Sequence, residues 1–108
     1  MSVTYVIRFQ VIPEKLERFM NLLSDVLDAM REESNFHEAV LHRDPDSPHR
    51  LMLYETWESH EDVLAEQINR PYRQAYHEAL ADLLVKPREV TIWHTVRADR
   101  RQRRELVA

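Results

Sequence analysis

Along the first twelve residues apolar and polar positions alternate. Val3, Tyr5, Ile7, Phe9 and Val11 share one side and Thr4, Val6, Arg8, Gln10 and Ile12 the other, the two-residue period of a β-strand with one strongly apolar face. Pro13 ends that ladder and suits the first turn of a helix, where Glu14 and Glu17 face the positive end of the helix dipole. The period then changes. Leu16, Phe19, Met20, Leu23, Val26, Leu27 and Met30 recur every three or four positions, which predicts an amphipathic helix ending near Glu33 and Ser34, with a stripe that covers a sheet.

A second strand is predicted over residues 36–43 and a third over 50–57. Between them Asp44, Pro45, Asp46, Ser47 and Pro48 form a turn, because proline fixes φ while Asp and Ser bond nearby backbone. Leu51, Met52, Leu53 and Tyr54 do not alternate cleanly, so neither face of the third strand is intended for water. Ser59 reads as an N-cap, with Glu61 and Asp62 in the first turn of a helical stretch carrying Val63, Leu64 and Ile68. That stretch breaks around Asn69, Arg70 and Pro71. Pro71 opens a further helix with Tyr72, Ala75, Tyr76, Ala79, Leu80, Leu83 and Leu84, Pro87 closes it, and residues 89–96 alternate as a fourth strand.

The order βαββαβ over residues 1–97 is the ferredoxin-like α+β arrangement, a four-stranded antiparallel sheet with helices on one face. Residues 98–108 form a basic C-terminal tail. The sheet face away from the helices carries Val6, Ile12, Met52, Tyr54 and Trp93. A patch of several hundred Å² is seldom left wet in a monomer, so a homodimer with its sheets face to face is expected.

At 108 residues, 44% of them hydrophobic, the chain is long enough for one small core and too short for two. It has no glycine, which removes phosphate-cradling loops, the dinucleotide fingerprint and the glycine-rich nucleophile elbow. It has no cysteine, hence no disulfide, thiolate metal site or cysteine nucleophile, as fits a reducing cytosol. No apolar run approaches the roughly 20 residues of a membrane span, so a soluble cytoplasmic protein without a membrane partner is expected. Residues 1–96 hold 10 basic against 17 acidic side chains, and Arg97, Arg100, Arg101, Arg103 and Arg104 make the tail basic. The acidic body repels a polyanion and the tail lacks interleaved aromatics, so no nucleic acid partner is expected.

The candidate chemistry is sparse. His37, His42, His49, His60, His77 and His94 show no local ligand spacing, and no metal is expected. The serines lie in terminal, helix-surface or turn contexts, and the pairs Glu32–Glu33 and Glu61–Asp62 read as solvated surface charge. One stretch is more informative. Residues 54–57 followed by Gln67, Arg70, Tyr72, Arg73 and Tyr76 would surround a space lined by Trp57, Tyr72 and Tyr76, with Gln67 and an arginine as polar groups. Such a lining suits a flat aromatic guest. The alternative is that these aromatics fill the core, the commoner fate at helical spacing, while Arg70 and Arg73 pair with Glu66 or Glu78 outside.

Five stretches carry a family resemblance: Pro13-Glu14-Lys15, Asn35-Phe36, His42-Arg43-Asp44-Pro45, Leu53-Tyr54-Glu55-Thr56-Trp57, and Arg70-Pro71-Tyr72 followed by Ala75-Tyr76. Over residues 3–96 the chain resembles the antibiotic biosynthesis monooxygenase domain family, small dimeric α+β barrel proteins. The resemblance implies oxygen insertion into quinol-like or polyketide-derived aromatics with no cofactor: neither flavin, metal nor haem. The protein would deprotonate a phenol and hold the anion near O2 in a dry pocket. Trp57 matches the family's tryptophan, whereas positions holding a catalytic Asn and Tyr in the family are Leu53 and Val63 here, and two family histidines fall on Gln67 and Tyr72. The Asn and axial His of the haem-degrading branch fall on Ile7 and Tyr76, with His77 one step away, so haem degradation is not expected.

The expectation is therefore a cofactor-independent monooxygenase acting on a quinol-like or polyphenolic small molecule. Trp57, Tyr72, Tyr76 and Asn35 would contact the substrate, Gln67 with Arg70 or Arg73 would orient or stabilise a phenolate, and His42 or His94 would act as base. The alternative is a non-catalytic dimeric module that binds small molecules in the same pocket.

Overall fold

β1 (Val3–Gln10) leads through a 3₁₀ turn (Pro13–Lys15) into α1 (Leu16–Met30), followed by β2 (Phe36–Asp44), β3 (Ser47–Trp57) and α2 (His60–Ala65). Two further 3₁₀ turns, Gln67–Asn69 and Pro71–Arg73, precede α3 (Gln74–Leu83) and β4 (Glu89–Trp93). The structure, a computed structural model, describes residues 2–101. The strands form one antiparallel sheet in the order β2-β3-β1-β4, the ferredoxin-like α+β fold. Among the described residues no helix is long and apolar enough to cross a membrane.

The alternation of β1 becomes a two-sided strand. Val3, Tyr5, Ile7 and Phe9 are buried under the helices and lie opposite Trp57, Glu55, Leu53 and Leu51 of β3. The stripe of α1 buries Phe19, Leu23, Val26 and Met30 on them, with the rings of Phe9 and Phe19 edge to face at 5.0 Å. Tyr76, Ala79 and Leu83 of α3 complete this layer. Arg70, ahead of a proline that disfavours helical ψ, is extended at φ −61° and ψ 133°, which is why the helical stretch breaks there.

Element ends depart from the sequence reading. α1 stops at Met30, where its apolar stripe stops, and a tighter turn carries Glu32 and Glu33 onward through bonds to the carbonyls of Ala29 and Met30. The hairpin turn is only Pro45 and Asp46, closed by Asp44 Oδ1 accepting from the Asp46 amide at 2.9 Å. Ser47 and Pro48 belong to β3, where the register shifts between Arg43 and Asp44. Such an irregularity accommodates a proline that has no N–H for the ladder. α3 gives way after Leu83 to an extended Leu84 that bridges Val11.

β4 ends at Trp93 and not Val96, because its partner β1 runs out: Trp93 pairs with Thr4, and β1 starts at Val3. Of the predicted tail, residues 98–101 carry no regular structure and 102–108, with Arg103 and Arg104, lie outside the described residues. The helices leave β4 uncovered. Val90 and Ile92, on the helix side of the sheet opposite Ile7 and Tyr5, are about half exposed and form one wall of a cavity.

Candidate functional site

The cavity, about 280 Å³, lies between the helix side of β1, β3 and β4 and the inner faces of α1, α2 and α3. Leu23, Val26 and Met30 of α1, Val63 of α2 and Val90 and Ile92 of β4 make its walls mainly apolar. Into this setting the backbone pattern delivers seven polar side chains: Tyr5, Glu55, His60, Arg73, Tyr76, His77 and Arg88. Concave, mainly apolar walls with a few convergent ionisable groups are the usual form of a small-molecule site.

Glu55 stands on β3 between the core residues Leu53 and Trp57 and is buried like them. The Trp57 indole donates Nε1–H to Glu55 Oε1 at 3.2 Å. Burial pushes the Glu55 carboxyl above the usual carboxylate range, against the pull of Arg73, the indole N–H and Arg88. The Arg73 guanidinium lies 5.6 Å from the ring centres of both Trp57 and Tyr72, a cation held over two aromatic faces. The residue is only 8% exposed, and its Nε and Nη2 are shut off from solvent.

Two phenols complete the polar set. Tyr5 Oη lies 2.7 Å from His60 Nδ1, and burial followed by the negative charges of Glu55 and Glu61 raises the Tyr5 pKa. Arg88 donates from Nη1 to Tyr76 Oη at 3.4 Å, while burial holds the Tyr76 hydroxyl above its ordinary pKa. His77, beside Tyr76 on α3, is pushed below the usual histidine range by burial and then by Arg88 and Arg73. At neutral pH its imidazole is uncharged and able to accept a proton.

The residues singled out from the sequence divide. Arg73 and Tyr76 line the cavity. Trp57 is fully buried in the core, edge to face with Phe36 at 5.3 Å, and reaches the site only through Glu55 and Arg73. Gln67, Arg70 and Tyr72 gather on Glu33 beyond the end of α1: Gln67 Nε2 donates at 3.2 Å, Arg70 Nε lies at 3.2 Å and Tyr72 Oη donates at 3.3 Å. Arg70 thus pairs with Glu33 and not with Glu66 or Glu78. Asn35 is half-buried ahead of β2, its carbonyl accepting from the Glu58 amide at 2.8 Å.

Neither histidine named as a base reaches the cavity. His42 is exposed on the outer sheet face against Tyr54, its ring centre 5.6 Å away, because its strand position shares the face of Met52. His94 follows β4 in solvent, with Nδ1 3.2 Å from the Ser2 carbonyl. His42 does line a second cleft of about 310 Å³ with Arg8, Arg43, Arg50 and Lys86. That cleft is lined mainly by charged side chains, and Arg50 and Lys86 are paired with Asp44 and Glu89 at 3.0 and 3.4 Å. It lacks the buried ionisable groups of the helix-side cavity.

Sequence reasoning missed Tyr5, Glu55, His60, His77 and Arg88 as site residues. Glu55 carried a signal, a carboxylate in phase with Leu51, Leu53 and Trp57. Among the described residues no three His, Asp or Glu side chains converge as a metal site.

The profile of a family described as antibiotic biosynthesis monooxygenase matches residues 2–79. A protein of Pestalotiopsis microspora, provisionally named a monooxygenase, is 33% identical over 95 residues, covering 85% of this chain and 78% of its own. Among solved structures, a Mycobacterium tuberculosis protein at 23% identity covers 91% of this chain and 98% of its own with a TM-score of 0.82. SnoaB from Streptomyces nogalater, described as a cofactor-independent oxygenase, is 20% identical, covers 90% of this chain and 95% of its own, and gives a TM-score of 0.74. At these identities the solved structures speak for the fold.

Proposed function

This chain belongs to the antibiotic biosynthesis monooxygenase family, and from that premise we propose that it is a cofactor-independent monooxygenase that oxidises a quinol-like aromatic with O2 in the helix-side cavity. The observation that carries the proposal is the pairing, within apolar walls, of two guanidinium groups with an uncharged imidazole. Arg73 and Arg88 lower the pKa of a bound phenol by placing positive charge beside the oxygen, and His77 accepts its proton. The low polarizability of the apolar walls strengthens both effects. The electron-rich anion then reacts with O2. One oxygen atom replaces a ring hydrogen to give a hydroxyquinone, both quinol hydroxyls become carbonyls, and the second oxygen leaves as water with two substrate hydrogens. The quinol supplies the electrons.

Oxygen uptake with 1,4-dihydroxynaphthalene, in the presence of a metal chelator and corrected for autoxidation, tests this reading. One O2 consumed per quinol, in proportion to enzyme, is the expected result. Thermal stabilisation by the quinone without any enzyme-dependent uptake would replace it with a non-catalytic binding module.

The outer sheet face supports a second part of the reading, a homodimer packed sheet to sheet. Val6, Met52 and Tyr54 lie there half-buried and Trp93 is 58% exposed, an apolar surface of the kind that a second copy covers.

A further inference from the structure

The proposed reaction removes a proton from each of the two quinol hydroxyls, and His77 accounts for one of them. The floor of the cavity shows where the other can go. Its middle row, Ile7 with Leu53 and Val90, is apolar, and the next row holds Tyr5 with Glu55 and Ile92. Arg88 lies on the far side of that apolar row, two residues ahead of Val90, with its guanidinium against the Tyr76 hydroxyl and His77 next along α3. A flat ring lying on Ile7, Leu53 and Val90 therefore meets Arg88 and His77 at one edge and Glu55 at the other. At the Glu55 end, Tyr5 Oη and His60 Nδ1 are engaged with each other at 2.7 Å. Glu55 Oε1 accepts from the Trp57 indole, which fixes the carboxyl, whereas Oε2 has no partner among the described residues and is not shut off from solvent. Because Glu55 points under the helices from β3, the space that Oε2 meets is the cavity.

We propose that Glu55 is the second proton acceptor of the site: its Oε2 takes the proton of the quinol hydroxyl remote from Arg88. The proposal rests on the reading of this cavity as a site of quinol oxidation. The hydroxyl O–H bond breaks, its electron pair stays on the substrate oxygen, and the new O–H bond forms at Oε2. When the second atom of O2 leaves as water, the carboxyl returns this proton to it. The carboxylate is thereby restored, and the stoichiometry of one quinol and one O2 per turnover is unchanged. The apolar surroundings suit the step. Burial favours the neutral carboxyl, while Arg73, the Trp57 N–H and Arg88 oppose it and sustain the carboxylate, so a proton moving onto Oε2 relieves a buried charge. The assignment also selects a substrate with hydroxyls on opposite edges of the ring, a 1,4-diol, over one with a single hydroxyl.

Binding under nitrogen tests the contact on the unaltered protein. By calorimetry, 1,4-dihydroxynaphthalene is expected to bind at least about tenfold more tightly than 1-naphthol, which lacks the second hydroxyl, the scale of a hydrogen bond to a charged group. Affinities within about twofold of each other would overturn the proposal. Turnover tests the proton transfer. Glu55→Gln keeps the shape and can still accept from the Trp57 indole, but has no group to take a proton. Its kcat in oxygen uptake is expected to fall by about 10²-fold or more, and Glu55→Asp to regain part of the lost rate. The affinity of the Gln variant for 1,4-naphthoquinone, which has no hydroxyl proton, is expected to stay within about twofold of the parent's. A folded Gln variant that keeps the parent's kcat, or one whose loss of rate is matched by an equal loss of quinone affinity, would leave Glu55 a structural residue. Failure here is separable from failure of the proposed reaction: no oxygen uptake by the parent refutes the reaction, whereas uptake that survives Glu55→Gln refutes the second acceptor alone.

Discussion

Glu55 and His77 respond to the same apolar cavity in opposite senses. Loss of hydration favours the neutral form of Glu55 more than Arg73, the Trp57 N–H and Arg88 favour the charged one, so its folded pKa stands above its unfolded one. The stability contributed by the neutral carboxyl is therefore complete below the unfolded pKa and is lost as pH rises through the folded value. Glu55→Gln is neutral at every pH. The difference in Tm between this variant and the parent should move in the variant's favour from about pH 5 to about pH 8, read by scanning calorimetry; parallel curves would contradict a raised pKa. For His77 the sign reverses, since its folded pKa is lowered and its contribution is lost as pH falls through that value. If His77 accepts the phenol proton, His77→Gln should lower kcat by about 10²-fold or more and remove the acid limb of the rate profile that lies below the usual histidine range. Arg73 and Tyr76 were readable in the sequence because they sit together on one helical face after Pro71. Tyr5 and His60 were not, because their contact joins positions 55 apart that only the fold brings together.

At the scale of elements, hydrophobic period identified β1, α1 and α3, which each bury one face and repeat at their own spacing, whereas β3 was legible from the turn before it and α2 from its Ser59 cap. Ends were less legible, because they depend on neighbours: β4 stops where β1 has no more backbone to offer, and Leu84 leaves α3 to bridge Val11. The segment from α2 to the Pro71–Arg73 turn has a short helix and little apolar stripe, yet it walls the cavity with Val63, Leu64 and Ile68. What ties it down is Glu33, which takes hydrogen bonds or ion pairs from Gln67, Arg70 and Tyr72. Glu33→Ala should cost about 1–2 kcal/mol in urea unfolding, a range that allows for the partial solvent access of the Arg70 pair. Amide exchange should quicken between residues 60 and 73 and stay unchanged in β1 and β3, whose ladders do not touch Glu33. Trp57→Ala acts on the other side of the same segment, emptying a fully buried volume and leaving Glu55 without its donor. Its expected cost is about 3–5 kcal/mol.

For the whole molecule the question is what the outer sheet face meets. A four-stranded sheet with helices on one side presents the other, and here the rows across that face are mixed: Thr4 and Trp93, Val6 with Tyr54 and Thr91, Arg8 with Met52 and Glu89. The charged row lies at one end and the aromatic row toward the other. The proposed dimer would bury the apolar rows while the charged row pairs or stays at the rim, where charges contribute little to affinity and more to register. Trp93, with its indole N–H already satisfied by Thr91 Oγ1 at 2.8 Å, can bury its ring without stranding a donor. Placing a carboxylate there would desolvate a charge at the contact. Light scattering at micromolar concentration should therefore give twice the chain mass for the parent and the single-chain mass for Trp93→Glu, with the variant's circular dichroism unchanged because Trp93 contributes nothing to the helix-side core. A single-chain mass for the parent itself would leave this face to water and remove the dimer from the proposal, while the cavity on the helix side, built wholly from one chain, would stand.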